Sequence, residues 1–137
     1  MHDLWPGLPV TVQSTHIDMF GHVNHTRYLE YFEWARFAWA EYHGFPIPRM
    51  VAEEHVGPAI LRAQLQFRRE CRMGDRLLVT ARAVSARRGI GRVYQTIQLE
   101  HGGELACEGE LTFVAMDLRA RRAVALPPQF VALVARA

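Results

Sequence analysis

The sequence predicts an α+β domain in which an antiparallel β-sheet curls around one long, buried helix. Two observations carry that prediction. The stretch from about residue 25 to 43, "HTRYLEYFEWARFAWAEYH", contains no proline and is apolar around most of its circumference, with Tyr28, Leu29, Tyr31, Phe32, Trp34, Ala35, Phe37, Ala38, Trp39 and Tyr42. A helix that apolar is buried on several sides. The segments that follow it read as four successive strands separated by turn residues, and an antiparallel sheet of this kind can bury one face. Nothing else in the chain is large enough to cover such a helix.

Each element has a local reason. "LPVTVQ" (Leu8 to Gln13) alternates Leu8, Val10 and Val12 with polar neighbours and reads as a short strand. The helix ends at Gly44, a C-cap residue, with Pro46 just after it. "AILRAQLQFRRE" places Leu61, Ala63, Leu65 and Phe67 on one face and Arg62, Gln64, Gln66 and Arg68 on the other. A turn at Gly74-Asp75 leads into a strand over Arg76 to Ser85, and "ARRGIGR" supplies the next turn. Val93 to His101 and Glu104 to Asp117 form a hairpin joined by Gly102-Gly103. "PPQFVALVAR" begins with proline and predicts a short terminal helix. One domain over residues 1–137 is expected from the length of 137 residues.

Composition excludes several kinds of chemistry. All 16 basic residues are arginine, so there is no Schiff-base, P-loop or Ser-Lys lysine. Ser14 and Ser85 are the only serines, and neither lies in a G-x-S-x-G elbow. The formal charge of +2 makes no case for nucleic acid. Cys71 and Cys107 are too few for a disulfide framework or a cysteine-based zinc site. No apolar run approaches the ~20 residues of a membrane span, and "MHDLWPGLPV" does not read as a signal peptide. A cytoplasmic location with reduced thiols is expected.

The richest chemistry precedes the helix, in "HIDMFGHVNHTRY" (His16 to Tyr28). Gly21 permits a positive-φ turn that brings Asp18 back toward the helix start. Asn24 is suited to the N-cap, leaving the N–H groups of His25 and Thr26 to point outward. Such donors, aided by the helix dipole, can hold an oxyanion. The ordinary readings are that Asp18 caps a turn, that His22 is structural, and that Glu33 and Arg36 form a helix pair or organise an oligomer. A zinc site built from His16, Asp18, His22 and His25 is a further alternative, without the spacing of a known zinc motif.

These residues resemble the 4-hydroxybenzoyl-CoA thioesterase family of the hot-dog fold, including its YbgC-like acyl-CoA thioesterases. The likeness runs over nearly the whole chain. It is most specific at Asp18, Gly21, Val23 and Asn24, then Tyr28, Glu33, Ala35 and Arg36 of the "Y-x-x-x-x-E-x-A-R" pattern, with Gly74, Asp75 and Leu77 as the "G-D-x-L" landmark. The proline common before that landmark is missing here.

The resemblance implies hydrolysis of an acyl thioester, with Asp18 as nucleophile or general base. It also implies that the backbone N–H of His25 polarises the carbonyl, and that the His25 side chain takes part in some members. Gly21, Asn24, Thr26 and Tyr28 are then expected around the substrate. Arg87 and Arg88, otherwise a solvated hairpin tip, become candidates to clamp the phosphates of coenzyme A. No metal and no cofactor is expected, because coenzyme A is part of the substrate. An acyl-carrier-protein thioesterase and a non-catalytic acyl-binding module remain alternatives. A hot-dog dehydratase is disfavoured by the absence of "G-D-x-N-P-x-H". The excess apolar surface of the helix predicts a homodimer or homotetramer.

Overall fold

The computed structural model describes residues 4–136. Strand β1 (Leu8–Thr11) is followed by a single 3₁₀ turn and helix α1 (His25–Tyr42). The chain continues through a one-turn helix α2 (Ile47–Arg49), a π-type turn (Met50–Glu54) and strands β2 (Val56–Phe67), β3 (Arg76–Val79), β4 (Arg82–Arg87), β5 (Ile90–Leu99), β6 (Leu105–Asp117) and β7 (Arg122–Val124). Helix α3 (Pro128–Arg136) closes the order. The strands form one antiparallel sheet in the order β1-β3-β5-β6-β2, with β4 also on β5 and β7 on β6. The sheet wraps α1, as its residue pattern predicts.

The ends of α1 are fixed locally. Asn24 is the N-cap. At the other end Gly44 has φ +85, its N–H bonds the Glu41 carbonyl at 3.1 Å, and the Phe45 N–H bonds the Ala40 carbonyl at 3.0 Å. That is a Schellman closure, completed by the Phe45 ring edge-on to Trp39. One face of α1 is buried, through Tyr28, Tyr31, Phe32, Ala35, Trp39 and Ala40. Leu29, Trp34, Phe37 and Tyr42 remain exposed. The core divides along the helix. Tyr28, Tyr31, Phe32, Cys71 and Cys107 gather near its start, and Trp39, Phe45, Val93 and Phe130 near its end.

Several sequence expectations need correction. The strand expected over Arg76 to Ser85 bends at Thr80–Ala81 into β3 and β4, although both parts pair with β5. The short β7 and the turns over 47–54 had no periodic signal. On β2, Leu61 does not share the face of Ala63, Leu65 and Phe67. A bulge between Ile60 and Arg62 leaves Leu61 out of the ladder at 59% exposure, and Ile60 pairs with Phe113 instead.

Candidate active site

The segment before α1 is a compact loop clamped at its base by an antiparallel bridge between Ile17 and Val23. The Gly21 N–H bonds the Asp18 carbonyl at 3.0 Å, with Gly21 at φ +82. That left-handed conformation suits glycine, and the space around its missing Cβ is open. The Val23 N–H bonds the Cys71 carbonyl at 2.8 Å, and the Asn24 N–H bonds the His16 carbonyl at 3.0 Å. The loop is therefore held against both the 3₁₀ turn and the segment after β2.

Two bonds aim the Asp18 carboxylate. Oδ1 accepts the Phe20 N–H at 2.9 Å, and Oδ2 accepts Asn24 Nδ2 at 3.3 Å. The first makes an Asx turn, so the ordinary capping role of Asp18 is present. Each oxygen accepts one bond here and keeps further lone-pair capacity.

Asn24 links the carboxylate to the helix. Its Oδ1 accepts the Thr26 N–H at 3.0 Å and the Thr26 hydroxyl at 2.8 Å. This corrects the expectation for Thr26, whose N–H is consumed by the cap instead of pointing outward. The His25 N–H, first in the helix, is the donor left over; among the described residues no hydrogen bond takes it. Asn24→Ala removes the cap and one tether of Asp18. A loss of about 1 kcal/mol in urea unfolding is expected; an unchanged midpoint would show that the cap adds no stability.

The other candidate residues are placed as follows. The His25 ring is exposed and edge-on to Phe67, with centroids 6.3 Å apart. Tyr28 points inward at 3% exposure, against Tyr31 and Phe67, so it belongs to the core and not to an open pocket wall. Burial and the neighbouring Cys71 push its phenol well above the ordinary range. His16 is buried, and its Nδ1 lies 2.8 Å from the Tyr31 hydroxyl. His22 stacks on Phe20 and turns Nε2 toward Glu70 at 3.8 Å. The histidines are thus dispersed, and no group of three possible metal ligands occurs among the described residues.

Arg87 and Arg88 occupy the tip of the β4–β5 hairpin, with Arg88 at φ 56 and Gly89 at φ 76. One chain does not bring them to Asp18. Ile97 pairs with Cys107, which pairs with Phe67 beside His25, whereas the tip adjoins Ile90. Seven residues of β5 separate the two levels, about 23 Å.

Sequence reasoning missed the partner of Arg36. Its Nη1 donates to Gln95 Oε1 at 3.0 Å, and Gln95 Nε2 donates to the carbonyls of Phe32 and Thr80. Burial lowers the guanidinium pKa, and the nearby Glu33 charge partly opposes the shift. The 59-residue separation of Arg36 and Gln95 hides this contact from any local pattern.

A carboxylate and a free helix-start N–H, joined through one asparagine, suit attack on a carbonyl whose oxygen gains charge. The sequence profile of the thioesterase-like superfamily matches residues 12–134. The chain belongs to the thioesterase-like superfamily. The long-chain acyl-CoA thioesterase FadM of Escherichia coli is 28% identical over 117 residues, covering 85% of this thioesterase-like chain and 87% of that protein. A 1,4-dihydroxy-2-naphthoyl-CoA thioesterase from Synechocystis has the same fold, with TM-score 0.83 over 93% of both chains at 18% identity. So does a Staphylococcus aureus protein solved in complex with CoA, with TM-score 0.83 at 21% identity over 96% of this chain and 82% of that one. The fold of this superfamily member is the hot-dog fold. No helix among its described residues is long and apolar enough to cross a membrane.

Proposed function

We propose that the chain hydrolyses acyl-CoA thioesters, within the 4-hydroxybenzoyl-CoA and YbgC-like branch of the superfamily. The observation that carries this reading is the Asp18–Asn24–helix-start arrangement, in which Asn24 holds the carboxylate and consumes the Thr26 N–H while His25 keeps its own. Asp18 takes a proton from water as the water oxygen attacks the thioester carbon, or attacks that carbon itself to form a mixed anhydride that water cleaves after the thiolate has left, regenerating the carboxylate. The carbonyl oxygen becomes an oxyanion facing the His25 N–H. The C–S bond then breaks and the thiolate leaves. A thiolate is a good leaving group at neutral pH, so the reaction calls for neither metal nor cofactor. A screen of short, long and aromatic acyl-CoAs tests the proposal, with acyl-carrier-protein thioesters alongside. Turnover of none of the acyl-CoAs would end it.

The working unit is proposed to be a homodimer. β2 is an edge strand of 12 residues, with β6 on one side only. Antiparallel pairing of β2 with its copy continues the sheet and covers the exposed Ile60 and Phe67. It also exchanges ends. The Arg87–Arg88 tip lies at the Val56 end of β2, because Ile90 pairs with Val114 and Val114 with Ala59. Pairing therefore sets the tip of one copy at the Asp18 end of the other, some 15–20 Å to the side at ordinary strand spacing. Light scattering should show no stable folded monomer at micromolar concentration.

The double variant Arg87→Ala, Arg88→Ala should raise KM for acyl-CoA roughly tenfold and flatten its salt dependence, because phosphate contacts bind ground and transition states alike. Mixing it with an Asp18→Asn chain should recover activity, since one site per heterodimer is then intact. No recovery would assign the tip to the site of its own chain, and an unchanged KM would place the clamp elsewhere.

A further inference from the structure

The loop that carries Asp18 is a very short ribbon. Ile17 bridges Val23, the Asp18 N–H bonds the His22 carbonyl at 3.1 Å, and the Asn24 N–H bonds the His16 carbonyl at 3.0 Å. A two-stranded ribbon of this length has little stability of its own. Its pose against α1 therefore depends on its anchors. Asn24 supplies one at the helix start, and the Val23 N–H on the Cys71 carbonyl supplies another, to the segment after β2. A third is a buried side-chain bond that the mechanism above does not use.

That bond joins His16, at 7% exposure, to Tyr31 on α1. His16 Nδ1 receives the Gln13 N–H at 3.3 Å and lies 2.8 Å from the Tyr31 hydroxyl. A backbone N–H only donates, so Nδ1 is the acceptor and the ring proton sits on Nε2. The Tyr31 O–H then donates to the same nitrogen. The rings of Tyr31 and Trp34 flank the imidazole, with centroids 5.3 Å and 6.0 Å away. Tyr31 is fully buried and lies two turns beyond the cap, about 10 Å along the axis. His16 thus grips the helix at two levels, with its backbone carbonyl on Asn24 and its ring on Tyr31. Two points fix the rotation of the loop about the helix start, where the cap alone would act as a hinge. The amide of Asn24 is also the group that meets Asp18 Oδ2.

Such a bond adds little to stability. Replacing both partners of a buried pair by apolar groups of the same shape can be nearly neutral. What an apolar pair lacks is direction. We infer that His16 and Tyr31 are positioning residues, whose bond sets the Asp18 carboxylate relative to the His25 N–H. The inference rests on the thioesterase reading, in which neither side chain touches the reacting atoms. A displacement of about 1 Å at such a site costs on the order of 100-fold in rate.

Three substitutions test it. Tyr31→Phe deletes the donor and keeps the ring, His16→Leu deletes the acceptor, and His16→Asn keeps an acceptor, with Oδ1 in the place of Nδ1. For the best acyl-CoA, kcat should fall about 10- to 100-fold in Tyr31→Phe, in His16→Leu and in the double variant of the two, with KM within about twofold of the parent. His16→Asn should stay within about fivefold of the parent kcat. The double variant should keep the parental thermal midpoint, because both partners are then apolar. Amide exchange followed by NMR needs no turnover. The Asp18 and Asn24 N–H groups should exchange at least about tenfold faster in the double variant, while those of Phe32 and Ala35 in α1 stay as they are. A double variant with kcat within about twofold of the parent would overturn the inference. So would His16→Asn as slow as His16→Leu, unchanged exchange in the loop, or a loss of kcat that comes only with a lowered midpoint. A parent protein that turns over no thioester would sink the hydrolase reading, and the exchange rates would still decide whether this bond pins the Asp18 loop.

Discussion

Asp18→Asn should lower kcat by at least about 100-fold, the scale of losing a positioned general base. The substitution keeps the shape of the side chain. Its amide oxygen can still accept the Phe20 N–H or the Asn24 amide, the two bonds that Asp18 makes now. What disappears is the negative charge, and with it the ability to deprotonate water or attack as an anion. The loss should fall on kcat, with substrate binding retained, because the acyl and nucleotide ends are held elsewhere. Circular dichroism and light scattering should match the parent. Chelators should not affect the parent enzyme, which separates this mechanism from a histidine-bound metal. Near-parental turnover of the best acyl-CoA by the variant would remove Asp18 from the chemistry. So would parental activity that vanishes with a chelator and returns with zinc.

Phe130→Ala should destabilise the fold by about 3–5 kcal/mol. Phe130 is fully buried and edge-on to both Phe113 and Trp39, with centroids 5.0 Å and 6.1 Å apart. Through these two rings it ties α3 to β6 and to the end of α1. Gly91 completes the socket, since a Cβ there would lie 2.5 Å from the Phe113 ring and 3.1 Å from Phe130. Truncation leaves a hole that flat aromatic neighbours cannot fill. Stability of a domain this size is of order 5–15 kcal/mol, so much of it would be lost. A thermal midpoint lower by roughly 10–20 °C is expected. Val131→Ala, one residue on and 45% exposed, serves as the near-neutral control. A shift below about 1 kcal/mol for Phe130→Ala would show that α3 is dispensable.

Much of this fold is legible in the residues because its causes are local. Asn24 and Gly44 bound α1 through bonds to neighbours a few positions away, so the expected helix of about 25–43 meets the observed His25–Tyr42. The tight turn at Gly21 needs one residue with positive φ, and the turn at Gly102–Gly103 needs two, both supplied by glycine. The adjacency of Asp18, Asn24 and His25 is likewise built into a single loop, which is why the candidate site could be named from sequence.

Tertiary structure decided whatever depends on a partner distant in the chain. The bulge at Leu61 exists only in the register of β2 against β6, and it turned Ile60 toward the helix. The three residues of β7 carry no period long enough to read and are defined by their pairing with Ala115–Asp117. Whether Tyr28 lies in the core or in a pocket wall depends on what packs over it, and it is 3% exposed; the distance of the Arg87–Arg88 tip from Asp18 is likewise set by the register of β5, not by any local signal. Arg36 looked paired with Glu33, one turn away, but its hydrogen bond goes to Gln95 on a strand. Caps and turns are settled by torsions and bonds within a few residues, which the order of amino acids contains. Register, burial and long-range partners are settled by which surfaces pack best across the whole chain, and no short stretch of sequence contains that.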